Sequence, residues 1–282
     1  MLHRFFIPPH LFADETITLP QEIARQVRSV LRLRPGEHIV VLNGLGDEAE
    51  IELIDVSRER VSGHVLERRP GLPEPQTHVT LCQGLLKADL FEWVLQKGTE
   101  LGVSAFVPIQ SERVLPGLET VSPARMSRWQ TILREAAEQC GRSRIPTLSP
   151  PQPFERLLAD LPAGALALVC WEAAREPSLR SFLHGEGWDL YRQRPTGRGE
   201  AARTAGVPVG SGGAGSIWLF IGPRDGLTAE EAQYAAEQGA EIVTLGPRIL
   251  RAETAALAAA TILLYESHNL EEQPPTAGTN QI

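Results

Sequence analysis

Two predicted strands near the C-terminus continue into the same three residues. The first, at 217–221, is followed by Gly222-Pro223-Arg224, and the second, at 241–245, by Gly246-Pro247-Arg248. A helix at about 228–238 separates them, and a strand, a helix and a strand of this length form a parallel crossover. Parallel strands end at one edge of a sheet, where open α/β sheets bind ligands. Because glycine lets a ligand approach the backbone and proline fixes φ, the two turns predict a rigid, backbone-lined pocket.

The helix between the two turns carries signals for both of its ends. Thr228 is a favourable N-cap residue, and Glu231, three positions later, completes a capping box. Gly239 stands where a glycine in the left-handed conformation commonly ends a helix. These signals support the crossover on which the predicted pocket depends.

The composition is that of a soluble globular protein, with 42% hydrophobic and 22% charged residues in a chain of 282. No apolar run approaches the roughly 20 residues that span a bilayer, and the first residues lack the pattern of a signal peptide. We therefore expect a cytoplasmic protein without membrane association. Cys82, Cys140 and Cys170 are far apart, and the seven histidines are scattered. The cysteines are interpreted as buried free thiols, and no metal site is predicted.

The net charge of −8 argues against non-specific binding to nucleic acid. Only Lys87 and Lys97 are lysines, however, and arginine suits bidentate phosphate contacts and base stacking. A biased codon usage explains the same excess of arginine. The positions of individual arginines have to decide between these explanations.

The pattern of predicted elements changes at the proline-rich residues 70–75, which predict a stiff linker between two domains. Residues 1–70 contain short apolar runs separated by turn signals and indicate a small β-rich module. Residues 76–270 alternate strands with helices and predict an α/β domain with a mostly parallel sheet. The composition at 185–215 indicates a flexible insertion, and that at 271–282 a disordered tail. The other elements predicted in the α/β domain are strands at 78–83, 103–109 and 166–171 and helices at 87–101, 123–140 and 253–267.

One helix, predicted from Pro20 to about Leu33, interrupts the β-rich module. Its apolar stripe consists of Ile23, Val27, Val30 and Leu31. The opposite face carries Arg25, Arg28 and Arg32. This basic face is either simply solvated or in contact with phosphates, and the sequence leaves both interpretations open.

Two glycine patterns imitate a dinucleotide-binding fingerprint without its structural context. Gly44-x-Gly46-x-x-Ala49 is followed by a predicted strand and not by the helix that would hold a pyrophosphate. Gly210-x-Gly212-x-x-Gly215 precedes a strand instead of following one. A nicotinamide-dependent enzyme is therefore disfavoured.

The run from Leu245 to Ala256 combines a glycine-led loop with the start of an alanine-rich helix. Arg248, Arg251 and Glu253 cluster there, at the carboxyl end of a strand and beside the second Gly-Pro turn. A well-packed helix with a solvated charged cap is the plain alternative. The position at the ligand-binding edge of the sheet favours a binding or catalytic role.

Several motifs are spread over nearly the whole chain. They are His3-Arg4-Phe5-Phe6, Val30-Leu31-Arg32-Leu33, Gln96-Lys97-Gly98-Thr99-Glu100-Leu101-Gly102-Val103, Ser111-Glu112-Arg113, Glu138-Gln139-Cys140-Gly141-Arg142-Ser143-Arg144-Ile145-Pro146, the first Gly-Pro loop, and Leu245 to Ala255. Together they resemble the ribosomal RNA small subunit methyltransferase E family of the SPOUT class. The resemblance implies a PUA-like RNA-binding β-barrel followed by an α/β domain tied in a trefoil knot. It also implies S-adenosyl-L-methionine as cofactor, N3-methylation of a uridine in small-subunit (16S) ribosomal RNA, and a homodimer.

Methyl transfer from a sulfonium donor needs no metal, but the two reactants must be positioned in line. Hydrogen-bond donors near the base would stabilise negative charge on its carbonyl oxygens as the N3 proton leaves. The catalytic candidates are Arg251, as such a donor, and Glu138 and Gln139, as orienting groups.

The residues and the resemblance together indicate a cofactor site and an RNA-binding surface. The cofactor-binding candidates are Trp171, Glu172, Ile221, Gly222, Pro223, Leu245, Gly246, Arg248, Ile249, Leu250, Glu253, Thr254 and Ala255. Glu172 either holds ribose hydroxyls or is a solvated loop acid. The RNA-binding candidates are Arg4, Arg25, Arg28, Arg32, Arg113, Arg142 and Arg144. The expected partner is small-subunit ribosomal RNA or the assembled small ribosomal subunit.

The first loop departs from the family pattern. The family usually has Gly-Pro-Glu-Gly-Gly, whereas this chain has Arg224 and Asp225 between Pro223 and Gly226. Asp tolerates positive φ better than most residues, so we expect Asp225 to preserve the turn. We also expect Arg224 and Asp225 to form an ion pair. A role for the family's glutamate side chain is left in doubt.

Two other functions remain open. The altered first loop is compatible with an inactive RNA-binding protein, although the second loop is intact. A ribose 2′-O-methyltransferase of transfer RNA would share the fold, but the PUA-like start argues against it. The small side chains of Ala255, Ala258 and Ala259 on the last helix suggest close approach of another element, and twofold dimers are common.

Overall fold

The computed structural model describes residues 2–185, Trp188 and 216–267. Most of the predicted insertion and the whole predicted tail lie outside the described residues. Contacts divide the chain into two compact units, of which the first contains the residues up to Glu74 together with Leu95–Glu100 and Pro123–Pro146. The second contains Pro75–Val94, Leu101–Ser122 and the described residues from Thr147 onwards. Among the helices described, none has the length and apolarity needed to cross a membrane.

The first unit is built on a five-stranded sheet with the order β1-β3-β4-β5-β2. β1 is parallel to β3, and the other neighbours are antiparallel. The inward-facing side chains of Ile17, Ile39 and Ile51 are completely buried in one core. The predicted β-rich module is therefore confirmed. Its strands are β1 Arg4–Phe6, β2 Thr16–Thr18, β3 His38–Leu42, β4 Asp47–Val56 and β5 Val61–Pro70, and a 3-10 turn covers Pro9–Leu11.

The helix of the β-rich module is shorter and less regular than predicted. Helix α1, Gln21–Arg25, continues as a π-helical turn at Gln26–Leu31, and Arg32 ends it with a φ of 57°. In a π-helical turn each N–H donates to the carbonyl group five residues earlier, which widens the turn. Residues after it therefore no longer lie on the face that a period of 3.6 residues predicts. The prediction that Val30 belongs to the buried apolar stripe was therefore wrong, because this residue is 69% exposed.

Helix α3, Pro123–Cys140, belongs to the first unit and contacts β1. Its Ala137 packs with Phe6, Val40 and Leu42. The next residue, Glu138, accepts a hydrogen bond of 2.8 Å from the backbone nitrogen of Phe6. Burial raises the pKa of the Glu138 carboxyl from its ordinary value of 4.5 to about 7, although this hydrogen bond opposes the shift.

The second unit contains a parallel sheet with the order β12-β10-β11-β6-β7-β8, and β9 also pairs with β7. Its strands are β6 His78–Gly84, β7 Ala105–Gln110, β8 Thr147–Leu148, β9 Gln152–Pro153, β10 Leu166–Cys170, β11 Ser216–Ile221 and β12 Glu241–Val243. The other helices are α2 Ala88–Leu101, α4 Phe154–Ala159, α5 Leu179–Leu183, α6 Ala229–Glu237 and α7 Ala252–Glu266. The predicted parallel α/β fold is confirmed, whereas the trefoil knot stays a prediction.

The crossover helix α6 has the predicted capping box. The Thr228 hydroxyl accepts from the Glu231 nitrogen at 3.1 Å, and the Glu231 carboxylate accepts from the Thr228 nitrogen at 2.8 Å. The second oxygen of the same buried carboxylate accepts from the Glu112 nitrogen at 2.9 Å. The strands on either side of α6 are not neighbours, however, because β10 lies between β11 and β12.

Replacing Glu138 tests its shifted pKa. Because the folded pKa exceeds the ordinary value, this group's contribution to stability is present below about pH 4.5 and is lost as the pH rises through 7. Glutamine keeps an acceptor for the Phe6 nitrogen and does not ionise. Glu138→Gln should therefore be more stable than the wild type at pH 8, by about 1–2 kcal/mol after allowance for solvent screening.

Thermal unfolding at pH 5 and pH 8 measures this difference. Glu59→Gln, which changes an exposed carboxylate of the same unit that does not act on Glu138, is the control and should leave the pH dependence unchanged. An equal stability difference between Glu138→Gln and the wild type at both pH values would show that Glu138 ionises normally.

Candidate active site

Three strand ends meet at one edge of the parallel sheet. β10, β11 and β12 are neighbours and run in the same direction, so the residues that follow them surround one cavity of about 300 Å³. This cofactor cavity, as we call it below, is at the lower end of the range for small-molecule sites. Its lining residues are Cys170, Trp171, Glu172, Ile221, Gly222, Pro223, Arg224, Asp225, Gly226, Thr244, Leu245, Gly246, Pro247, Arg248, Ile249, Leu250, Ala252 and Ala255.

The first Gly-Pro loop rests directly on the backbone at the end of β6. A Cβ atom added to Gly84 would lie 2.3 Å from the Pro223 nitrogen and 2.6 Å from the Gly222 carbonyl carbon. The buried Gln83 amide donates to the carbonyl oxygens of Gly84 at 3.0 Å and Gly222 at 3.3 Å. Gly84 is therefore required for the close approach of two backbone segments, and neither Gln83 nor Gly84 was among the predicted site residues.

The altered loop keeps its turn without a left-handed aspartate. The Gly226 nitrogen donates to the Pro223 carbonyl oxygen at 3.0 Å, and Gly226 has a φ of +73°. The turn is thus preserved, as expected, but Asp225 does not have the positive φ on which that expectation was based. The predicted Arg224–Asp225 pair is present at 3.9 Å, with both side chains more than half exposed. Such an exposed pair contributes little to stability.

Two side chains outside the loop hold its far end. The Arg113 guanidinium donates to the carbonyl oxygens of Asp225 at 3.0 Å and Leu227 at 3.4 Å. The Trp171 indole nitrogen donates to the same Leu227 oxygen at 3.2 Å. The neighbouring Glu172 carboxylate lies over Gly226, where a Cβ atom would come within 1.9 Å of its Oε1. Glu172 therefore presents a carboxylate at the wall of the cofactor cavity.

The second loop is fixed by hydrogen bonds around Thr244. Its hydroxyl accepts from the Gly246 nitrogen at 3.2 Å, and its backbone nitrogen donates to the Pro177 carbonyl oxygen at 3.0 Å. Gly246 has a φ of +115°, which a residue with a side chain rarely adopts. A Cβ atom there would meet no protein atom within 4 Å, so the turn and not crowding within the chain requires glycine.

Comparisons with known proteins identify the relatives of this fold. An RNA methyltransferase domain model matches residues 73–264, and an RNA methyltransferase PUA domain model matches residues 27–66. The ribosomal RNA small subunit methyltransferase E of Bacillus subtilis is 32% identical, over 90% of this chain and 92% of its own length. The enzyme of the same name from Mycobacterium tuberculosis is 30% identical, over 82% of this chain and 79% of its own.

The chain belongs to the ribosomal RNA small subunit methyltransferase E family. A crystal structure of the Neisseria gonorrhoeae member bound to S-adenosyl methionine superposes with a TM-score of 0.77 at 30% identity. The superposition covers 94% of this chain and 98% of the other. The resemblance seen in the sequence motifs is thus confirmed, and as a member of this family the chain is an RNA methyltransferase.

Most of the predicted cofactor residues of this methyltransferase E family member lie together. Eleven of the thirteen line the cofactor cavity, while Glu253 lines an adjacent cavity and Thr254 lines neither. Seven residues that are not among these thirteen candidates also line it. They are Cys170, Arg224, Asp225, Gly226, Thr244, Pro247 and Ala252. Burial raises the pKa of the Cys170 thiol to about 12, so Cys170 contributes an uncharged wall.

The catalytic candidate Arg251 lines the adjacent cavity, which has a volume of about 450 Å³. We call it the second cavity. It shares Arg224, Ile249, Leu250 and Ala252 with the cofactor cavity, so the two have a common wall. Its other lining residues are Leu86, Lys87, Leu90, Leu115, Arg251 and Glu253.

Glu138 and Gln139 lie elsewhere in this family member. Both are on α3 in the first unit, where Glu138 binds the Phe6 nitrogen and Gln139 is exposed. Neither lines the cofactor cavity or the second cavity. Their roles as orienting groups stay predictions.

The predicted RNA-binding arginines fall into two groups. Arg142 is buried and is bound to Glu74 and to the Thr99 carbonyl oxygen, and Arg4 pairs with Glu48. These two side chains hold the first unit together, as Arg113 holds the first loop. Of the predicted arginines in the first unit, Arg25, Arg32 and Arg144 are exposed, and the partly exposed Arg28 donates to the carbonyl oxygens of Ser57 and Arg58.

Gly84→Ala should damage the floor of the cofactor cavity. The added methyl group would push the Gly222–Pro223 peptide away from β6 and overpack a buried site, at a cost of about 1–3 kcal/mol in unfolding free energy. Urea unfolding measures this cost, and the NMR resonance of the Trp171 indole N–H, which donates to the Leu227 oxygen, reports the displaced loop.

Gly239→Ala is the matched control, because its Cβ atom would meet no atom within 4 Å although φ is +84°. This variant should show only the cost of a left-handed alanine, about 1 kcal/mol, with no change at Trp171. A Gly84→Ala protein with wild-type stability and a wild-type Trp171 indole resonance would contradict the close packing of the two segments.

Proposed function

We propose that this chain transfers the methyl group of S-adenosylmethionine to N3 of a uridine in small-subunit ribosomal RNA. The observation that carries the proposal is the cavity at the ends of β10, β11 and β12 in a member of this methyltransferase family. The partner is small-subunit ribosomal RNA, either free or in the assembled subunit, and the site of action is the cytoplasm. A structurally similar family member was crystallised with S-adenosyl methionine, which supports the choice of cofactor.

The residues present fit this cofactor. Ile221, Ile249 and Leu250 provide apolar walls of the kind that receives an adenine ring. Gly222 and Gly246 leave bare backbone at the two turns, where peptide groups can bind the edge of the ring. The Glu172 carboxylate stands at the wall, where it would accept hydrogen bonds from ribose hydroxyls.

The protein's contribution to the reaction is positioning and charge stabilisation. When bound, the cofactor supplies an already activated methyl group on a sulfonium. The chain must then place a uridine ring against it, and the second cavity adjoins the cofactor cavity through Arg224 and Leu250. As the N3 proton leaves for solvent water, negative charge develops on the carbonyl oxygens of the base until N3 receives the methyl group. The exposed Arg251 guanidinium in that cavity carries five N–H donors for these oxygens.

The altered first loop does not favour the inactive alternative. Its turn depends on the Pro223 carbonyl and on Gly226, and both are retained. Arg224 and Asp225 extend from the turn with most of their side chains exposed. The departure therefore changes the charges at the rim and leaves the backbone that would contact the cofactor in place.

The first unit provides a basic surface for RNA. Arg25 and Arg28 line a surface cavity of about 580 Å³ together with Arg58 and Arg60, which the sequence did not single out. Glu22 and Glu59 line it as well, so the surface is mixed in charge. Phosphate contacts at such arginines would let a protein of net charge −8 bind RNA locally.

A homodimer is supported by exposed apolar side chains of the second unit. Trp93 on α2 is 43% exposed, and Ile262 and Tyr265 on α7 are 38% and 63% exposed. Ala259, by contrast, is completely buried and α7 contacts β6 and β11, so this alanine serves packing on the chain's own sheet. We infer that the exposed face of α7 contributes to contact with a second copy, because a buried apolar face stabilises association.

Variants separate catalysis from RNA binding. Arg251→Ala should lower kcat by about 10²–10³, the loss typical of one oxyanion-stabilising donor, and leave RNA affinity nearly unchanged.

The double variant Arg25→Gln with Arg28→Gln should weaken RNA binding and flatten its salt dependence by about one unit per lost phosphate contact. S-adenosylmethionine affinity should not change in the double variant.

Mass mapping of nucleotides in ribosomal RNA, with and without the gene, identifies the product. Methylation at a uridine N3 that disappears without the gene supports the proposed function. Gene-dependent methylation of a ribose hydroxyl would refute it and identify a 2′-O-methyltransferase instead. If the double variant binds RNA with an unaltered salt slope, Arg25 and Arg28 do not contact phosphates and are simply solvated.

Light scattering at micromolar concentration tests the dimer. A mass of twice 30.9 kDa is expected for the wild type, and Ile262→Glu should shift it towards the monomer by placing a charge in the apolar contact. Leu45→Glu, at a residue of the first unit that is 59% exposed, is the matched control and should remain dimeric. A monomeric wild type would refute the dimer.

A further inference from the structure

The second cavity is cationic. Lys87, Arg224 and Arg251 line it, and among the described residues around it Glu253 is the only acid. Lys87 and Arg251 are exposed, and no hydrogen bond or ion pair joins their side chains to another described residue. Arg224 has only the 3.9 Å contact with Asp225, which is longer than a hydrogen bond. Since Arg251 is assigned to the carbonyl oxygens of the base, Lys87 and Arg224 are the two cations of this cavity whose donors are left for a second ligand.

Two helices also begin at this cavity. Lys87 accepts the first backbone hydrogen bond of α2, from Phe91, and Arg251 is the N-cap residue of α7. Arg251 makes no capping hydrogen bond with its side chain, so the first N–H groups of the 15-residue α7 lack a side-chain acceptor. Unpaired N–H groups and the positive end of a helix dipole favour an anion. The lining charges and the helix end thus point to the same kind of ligand.

We propose that the second cavity binds a backbone phosphate of the substrate RNA, next to the nucleotide that is methylated, and that Arg224 is a phosphate ligand. This inference rests on the proposed function and specifies how its substrate is held. Arginine presents a planar fork of donors that matches two phosphate oxygens, whereas Lys87 can add a single charged contact. The shared wall places this phosphate beside the cofactor cavity.

The position of Arg224 explains how the loop departure can be functional. The side chain is 67% exposed and lines both cavities, and the turn that carries it is held by Gly226 and Arg113. A glutamate at this position, as in the usual family pattern, would repel a phosphate. Arg224 would thus provide a phosphate contact that a glutamate in the same turn could not provide.

Steady-state methylation of small ribosomal subunits purified from a strain that lacks the gene tests the proposal. Arg224→Gln should raise KM for the subunits about tenfold, Arg224→Glu should raise it further, and kcat should stay nearly unchanged. The salt dependence of RNA binding should flatten by about one unit in Arg224→Gln. Lys87→Gln should raise KM in the same direction, although less. Calorimetry should show wild-type affinity for S-adenosylmethionine in all three variants.

Arg156→Glu is the matched control, because it reverses an exposed charge of the second unit that lines neither cavity. It should leave KM and the salt slope unchanged. Unaltered KM and salt slope in both Arg224 variants would overturn the proposal. Loss of S-adenosylmethionine affinity equal to the rise in KM would also overturn it, because the cavity would then serve the anionic end of the cofactor. Absence of methylation by the wild type would instead refute the proposed function.

Discussion

The contact between the Gly222–Pro223 peptide and the backbone of Gly84 determines the shape of the cofactor cavity. It brings two main-chain segments closer than any Cβ atom would allow, and the Gln83 amide binds a carbonyl oxygen on each. The contact is possible because β6 and β11 are parallel neighbours that end at the same level. The floor of the cavity at Gly222 and Pro223 is therefore backbone, whereas side chains such as those of Ile221 and Leu250 form other parts of its wall.

The sequence predicted five strands of the second unit and its helices α2, α6 and α7, because these elements alternate and have clear ends. It did not predict the short elements β8, β9, α4 and α5. The order of the strands was beyond such reasoning, since local patterns do not specify which strands become neighbours. β10 lies between the two Gly-Pro strands, and only this order brings Trp171 and Glu172 to the cavity. A buried polar residue at the end of an apolar strand, Gln83, was the available signal for the support beneath the first loop.

The arginines show a second limit of the sequence. Arg142 and Arg144 stand two positions apart in one motif, yet the first is buried against Glu74 and the second is exposed. The pairing acid lies 68 positions away from Arg142, so no local pattern separates a structural arginine from an accessible one. Burying a guanidinium requires a partner of opposite charge, and only the fold brings that partner into place.

The backbone of the first loop lies at the floor of the cavity and two of its side chains lie at the rim. The side chains can therefore change while the backbone stays in place. Pro223 and Gly226 close the turn through the backbone, so substitutions between them leave the floor intact. Arg224 and Asp225 occupy those two positions with mostly exposed side chains, and Arg224 faces both cavities. A change of charge at these two positions alters the electrostatic potential that an approaching substrate meets, and it changes the folding stability of the protein little. The charge that Arg224 presents to both cavities can thus be altered while the backbone of the turn stays in place.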